Sequence, residues 1–130
     1  MKLSNRKILD FINSDLVSKK LPIKLAYAIS VNVSAVEGAV KAFNNQRTNL
    51  IEKYAKKGED GKPISDNGNY IIENTKEWNE SINELLDAES DVNVTTITLD
   101  LLEKCDDEAF DKLSVGELAV ISFMVADNKD

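Results

Sequence analysis

A chain of 130 residues is the size of one domain and long enough to bury a modest core. With 42% apolar and 30% charged residues the composition is that of a folded globular chain, and no apolar run approaches the ~20 residues of a membrane span. The complete absence of histidine and the single cysteine, Cys105, exclude Ser-His-Asp and Cys-His catalysis, a Cys/His zinc site and any internal disulfide.

The net charge of −7 is unevenly spread: residues 1–57 sum to +7 and residues 58–130 to −14. Two readings compete: the halves pack together and partly neutralise each other, or one acidic face meets a basic partner. The opening MKLSNRKILDF is positively charged but has no apolar run before Asp10 and no small-residue cleavage site, so no signal peptide is expected. A lone cysteine fits a reducing cytoplasm.

In chain order, Met1–Leu3 suits a short edge strand, and Ser4 suits an N-cap for a helix over about 5–14 that buries Ile8, Leu9, Phe11 and Ile12. Pro22 marks the start of a long helix running to about Lys57. Its apolar residues Ala26, Ile29, Val33, Val36, Val40, Phe43, Leu50 and Tyr54 follow a heptad seam in which Arg47 takes the one missing position. Such a helix has about 36 residues and a length of roughly 54 Å, with a bend at Gly38 as an open question and Gly58 as the stop.

Asp60-Gly61 and Asn67-Gly68 are turn dipeptides, predicting a β-hairpin with strands near 62–65 and 69–73. A return helix over about 75–89 follows, capped by Asn74 or Thr75, with Asn74 and Glu77 at capping-box spacing. Its apolar face, Trp78, Ile82, Leu85 and Leu86, is expected against Phe43, Leu50 and Tyr54 of the long helix. Val92–Leu99, β-branched almost throughout, reads as the best strand of the chain, with Met1–Leu3 or the hairpin as its neighbour. A helical turn over 100–104 and a second capping box, Ser114 with Glu117, lead to an apolar helix over 115–125, expected to be a buried core helix. The fold class is α+β, helix-dominated: long helix, β-hairpin, return helix, one strand and an apolar C-terminal helix, in a single domain of residues 1–130.

The clearest candidate site is a ridge of carboxylates, Glu73, Glu77, Glu80, Glu84, Asp87 and Asp91, whose spacing of 4, 3, 4, 3 and 4 places most of them on one face of the return helix. Such a ridge either pairs with Lys53, Lys56 and Lys57 or docks a basic surface by imitating a phosphate backbone. Arg47 is a candidate anion or interface residue. The Asp60–Glu73 segment fails the calcium-loop pattern, because Lys62 and Ile64 stand where acidic ligands are needed. Cys105 beside Asp106 and Asp107 reads as inert. No catalytic residue, metal site or cofactor is expected.

The segments Leu21-Pro22-Ile23-Lys24, Arg47–Lys57, Gly58–Lys62, Asn67–Tyr70 and Glu84-Leu85-Leu86 before a Val/Thr strand resemble small uncharacterised proteins of tailed phages and prophages of Gram-positive hosts. The resemblance covers about residues 20–125. It implies a phage accessory protein in the host cytoplasm, with no activity attached. A non-enzymatic acidic inhibitor of a host defence or nucleic-acid-handling complex is the leading expectation. The alternatives are an assembly factor that forms a homodimer through the long helix, and a small-molecule sponge whose pocket, between helices of two subunits, is lined by Arg47 and aromatic residues such as Tyr54 or Trp78. Direct nucleic-acid binding and membrane binding are not expected.

Overall fold

The computed structural model describes residues 1–66 and 69–126. Strand β1 (Lys2–Ser4) leads directly into helix α1 (Asn5–Ile12), whose first turn is capped by Ser4: its Oγ accepts the Lys7 amide at 3.2 Å. Ile8 and Phe11 are buried, while Leu9 and Ile12 are half-buried. A 3₁₀ turn over Asp15–Ser18 seats Leu16 in the core.

The expected long helix is two helices, α2 (Ile23–Ala35) and α3 (Glu37–Tyr54), bent by 44° at Val36 rather than at Gly38. The cause is a change of packing partner. Helix α2 buries Leu25, Ala28, Ile29 and Asn32 against the main core, whereas α3 leaves that core and lies along α1 and α4 (Thr75–Asp87). Val36, fully buried at the elbow, packs with Leu3, Ile8 and Val92. Pro22 is the residue before α2 and supplies the carbonyl that accepts the Ala26 amide at 2.9 Å. The heptad seam is largely used inside the chain: Ile29, Val36 and Phe43 are buried, Ala26 is exposed, and Arg47 lies exposed on α3.

Helix α3 ends at Tyr54, three residues before the expected end at Lys57, because the chain from Ala55 onward pairs with the excursion that follows. Ala55 bridges Ile72 and Lys57 bridges Pro63, both antiparallel, and the Lys56 amide donates to Ile71 O at 2.7 Å. The turn at Asp60-Gly61 forms as its residues demand: Asp60 Oδ1 accepts the Lys62 amide at 3.0 Å and Gly61 takes φ +77°. The hairpin strands β2 (Ser65–Asp66) and β3 (Asn69–Tyr70) are shorter than expected. The Asn67-Gly68 turn lies outside the described residues.

The predicted strand over 92–99 does not form. Strand β4 is Glu89–Asp91, paired antiparallel with β1 in the register Lys2 to Asp91, Leu3 to Ser90 and Ser4 to Glu89. The pairing extends one residue further, where the Val92 amide donates to Met1 O at 2.8 Å. Beyond that point no strand lies beside the chain among the described residues. Val92, the half-buried Val94 and the buried Ile97 cannot share one side of a strand with period two. In place of a neighbouring strand, the buried side chain of Asn32 serves Thr95. Its Nδ2 donates to Thr95 O at 2.9 Å, and its Oδ1 accepts the Thr95 amide at 2.7 Å. Ile97 then makes a single parallel bridge with Val125.

Helix α5 (Leu99–Glu103) and a 3₁₀ turn over Lys104–Asp106 follow, and the Ser114–Glu117 capping box starts α6 (Val115–Ile121). The apolar C-terminal helix is not buried all round. Ile121 is fully buried, as is Met124 in the 3₁₀ turn Ser122–Met124, but Val115 is 85% exposed and Leu118 also reaches solvent. The main core gathers Phe11, Leu16, Leu25, Ile29, Ile97 and Ile121, with Phe123 edge-on to Phe11 at 5.2 Å between ring centroids. It joins the smaller cluster around Val36 through Ile12, Val94 and Phe123, which touch both. The architecture is a helix-dominated α+β fold. Among the described residues no single helix is long and apolar enough to cross a membrane.

Candidate functional site

Helix α4 carries the acidic ridge, and its position is fixed from both ends. At the start, Asn74 Oδ1 accepts the Glu77 amide at 3.2 Å. At the end, the buried Asn5 acts as a cap supplied from α1: its Nδ2 donates to Leu85 O at 2.8 Å and its backbone amide to Ala88 O at 2.9 Å. These two bonds satisfy carbonyls that a helix end otherwise leaves open.

The inner face of α4 carries Trp78, Ile82, Leu85 and Leu86, all half-buried. As expected, it meets the far end of α3. Trp78 lies edge-on to Tyr54 at 6.4 Å between centroids, and Tyr54 Oη is 3.4 Å from Ser81 Oγ. The outer face carries Glu77, Glu80, Glu84 and Asp87, all exposed. Glu73 precedes the helix and Asp91 follows it in β4; both are exposed, and Asp91 stands opposite Lys2 in the strand register.

Charge compensation along this ridge is uneven. Asp87 pairs with Arg6 at 3.3 Å, and Arg6 also reaches Asn83 Oδ1 at 3.4 Å. Asp87 lies at the negative end of the helix dipole, where a carboxylate is least favoured, and Arg6 offsets that. Among the described residues, Glu73, Glu77, Glu80 and Glu84 have no cation within 4 Å, and none pairs with Lys53, Lys56 or Lys57. Lys53 instead lies over the Tyr54 ring at 5.1 Å. The two ion pairs found among the described residues, Arg6–Asp87 and Lys19–Glu117, each join the positive first half of the chain to the negative second half. The rest of the ridge keeps its field.

Arg47 is not brought to the ridge. It is exposed on α3, two helical turns before Tyr54, with no ion pair among the described residues. Within the chain, Tyr54 and Trp78 pack against each other and Arg47 lies apart from them on α3.

Two features were outside the sequence reading. An open cleft of about 390 Å³ lies at the α2–α3 elbow, with Ile12, Val33 and Val40 on its floor and Glu37, Lys41 and Asn44 at its rim. A polar cleft lies where Lys19 meets Glu117 at 3.3 Å. The Ser114 amide, donating to Glu117 Oε1 at 2.9 Å, is the main cause that lowers the Glu117 pKa; Lys19 adds to it. Cys105 is buried, and burial, aided by Asp106, raises its thiol pKa, so the thiolate is suppressed. Among the described residues no group of three or more acidic or thiol side chains is placed to hold a metal ion. Comparison with known protein families, with characterised proteins and with solved structures finds no match to this chain.

Proposed function

We propose that this protein is a non-enzymatic binding protein that docks a basic protein surface through the outer face of α4. On the phage resemblance of its sequence segments, it is proposed to act as a phage accessory inhibitor of a host defence or nucleic-acid-handling complex in the host cytoplasm. The observation that carries the reading is the exposure, without a cation among the described residues, of Glu77, Glu80 and Glu84 on a helix capped at both ends and backed by α3, with Glu73 exposed just before its cap. A helix held in this way presents its charges at fixed separations and loses little entropy on docking.

Glu77 to Asp87 spans about 15 Å, or roughly one carboxylate per 5 Å, against one phosphate per about 3.4 Å along a nucleic-acid strand. The ladder is therefore sparser than a duplex and better matched to a surface that follows one strand. Electrostatic docking of this kind is steered by the field and weakens with salt.

The test compares wild type with the triple reversal Glu77→Lys, Glu80→Lys and Glu84→Lys, both immobilised and exposed to host lysate at low and high salt. A partner held by the wild type at low salt, lost at high salt and lost by the reversal supports the reading. The same partners on both proteins, or none on either, overturn it.

A further inference from the structure

We propose that Tyr70 and Ile71 are the apolar anchor of the docking face on α4, a step that rests on the reading above. The partner is then a protein segment that carries apolar side chains at one end and a run of lysine or arginine after them. Ile72 bridges Ala55 and is half-buried. Two hydrogen bonds make that bridge: the Lys56 amide donates to Ile71 O at 2.7 Å, and the Glu73 amide donates to Tyr54 O at 3.1 Å. Ile71 and Glu73, on either side of Ile72, turn their side chains the opposite way, as alternation along paired backbone requires, and both are exposed. Ile71 therefore shares a side with the first carboxylate of the ridge. Tyr70, the residue before it in β3, is 46% exposed and Ile71 is 40% exposed, so both retain apolar surface that a partner can cover.

A row of carboxylates speeds encounter and sets the salt dependence of a complex, whereas a few desolvated side chains, aromatic ones above all, hold it together. The outer face of α4 has no such side chain of its own, because Trp78, Ile82, Leu85 and Leu86 lie on the inner face. Tyr70 and Ile71 supply them at its start, and a tyrosine suits that place, apolar in its body and polar at its tip. The charge layout fixes the direction of the partner. Residues 55–72 carry three lysines and three acids, whereas residues 73–91 carry seven acids against one lysine. The negative field thus begins at Glu73, where the apolar pair ends. A partner matches both when its apolar side chains sit over Tyr70 and Ile71 and its cations run along α4 toward Asp87. A wholly basic segment leaves the apolar pair uncovered, and a polyanion is repelled by the ridge.

The experiment purifies the protein that the wild-type chain captures from host lysate at low salt and measures its association and dissociation rates on the immobilised full chain across a salt series. Far-ultraviolet circular dichroism checks the folding of each variant. The expected result is a split between the two kinds of residue. Glu77→Gln with Glu80→Gln should slow association and lower its salt dependence. Tyr70→Ser with Ile71→Ser should raise the dissociation rate by ~10-fold or more and keep the wild-type salt dependence. Tyr70→Phe with Ile71→Leu, which keeps the apolar surface, should dissociate at close to the wild-type rate. A dissociation rate unchanged by Tyr70→Ser with Ile71→Ser overturns the anchor and leaves the α4 reading standing. Should that double variant lose its fold, Tyr70→Ser alone decides, and an unchanged rate again overturns the anchor. No partner on the wild type, or a partner held equally by the triple reversal on α4, overturns the α4 reading and the anchor with it.

Discussion

The carboxamide of Asn32 takes the place of a β-strand, and Asn32→Asp isolates that role without a change of volume. Asn32 has no solvent exposure, and it both donates to and accepts from Thr95, at 2.9 and 2.7 Å. In the variant a carboxylate oxygen replaces Nδ2 and faces the Thr95 carbonyl, acceptor against acceptor, in a buried site. The protonated acid restores the donor, so the folded state holds its proton more tightly than the unfolded chain does. A rise of about 2–3 units above the ordinary value of ~3.9 is typical of a buried, unpaired carboxyl and corresponds to roughly 3–4 kcal/mol. Because the folded pKa is raised, the variant keeps its stability below about pH 4 and loses it as pH rises through the folded pKa. Urea unfolding of wild type and variant, followed by circular dichroism, should show a deficit of about 3–4 kcal/mol near pH 7 that shrinks to under ~1 kcal/mol near pH 4. That deficit is large against the ~5–15 kcal/mol that holds a domain together. An equal deficit at both pH values, or none near pH 7, would refute the idea that Asn32 stands in for a strand.

Ser114→Ala removes the cap of α6 and should cost about 1 kcal/mol in the same assay. The Glu117 pKa is lowered by the Ser114 amide and by Lys19, so its contribution is present above the ordinary value of 4.5 and lost as pH falls through the lower folded value. Glu117→Gln should therefore flatten the acid limb of the stability curve, and an unchanged limb would count against the geometry. Asn5→Ala should destabilise by about 1–2 kcal/mol because it opens the end of α4 in a buried site, whereas Arg6→Ala, which breaks a well-exposed ion pair, should cost no more than ~0.5 kcal/mol. Gly38→Ala should stabilise by roughly 0.5–1 kcal/mol, since the position is helical and an added Cβ meets nothing within 4 Å; a loss would place strain at Gly38 that the bend at Val36 does not require.

Local chemistry was legible residue by residue. Ser4, Asn74 and Ser114 cap the helices that their spacing announces, and Asp60-Gly61 turns as that dipeptide should. The acidic ridge was legible for the same reason, because spacing of 3 and 4 on a capped helix settles which residues share a face. What could not be read was its compensation. Arg6 reaches Asp87 across 81 positions of sequence, while among the described residues Lys53, Lys56 and Lys57, nearer in the chain, form no ion pair with the ridge.

The sequence by itself determined the helical content, the capping, the acidic outer face and the absence of histidine chemistry, because each depends on residues within a turn or two of one another. Only the tertiary structure decided where a periodic pattern stops being one element. The seam from Ala26 to Tyr54 keeps helical spacing through Val36, yet the chain bends there, because its two halves pack on different neighbours. Val92–Leu99 has the composition of a strand, but a strand needs a partner along its edge, and here a single buried asparagine takes that place. Propensity describes what a segment can do alone; pairing and burial depend on what the rest of the chain brings beside it.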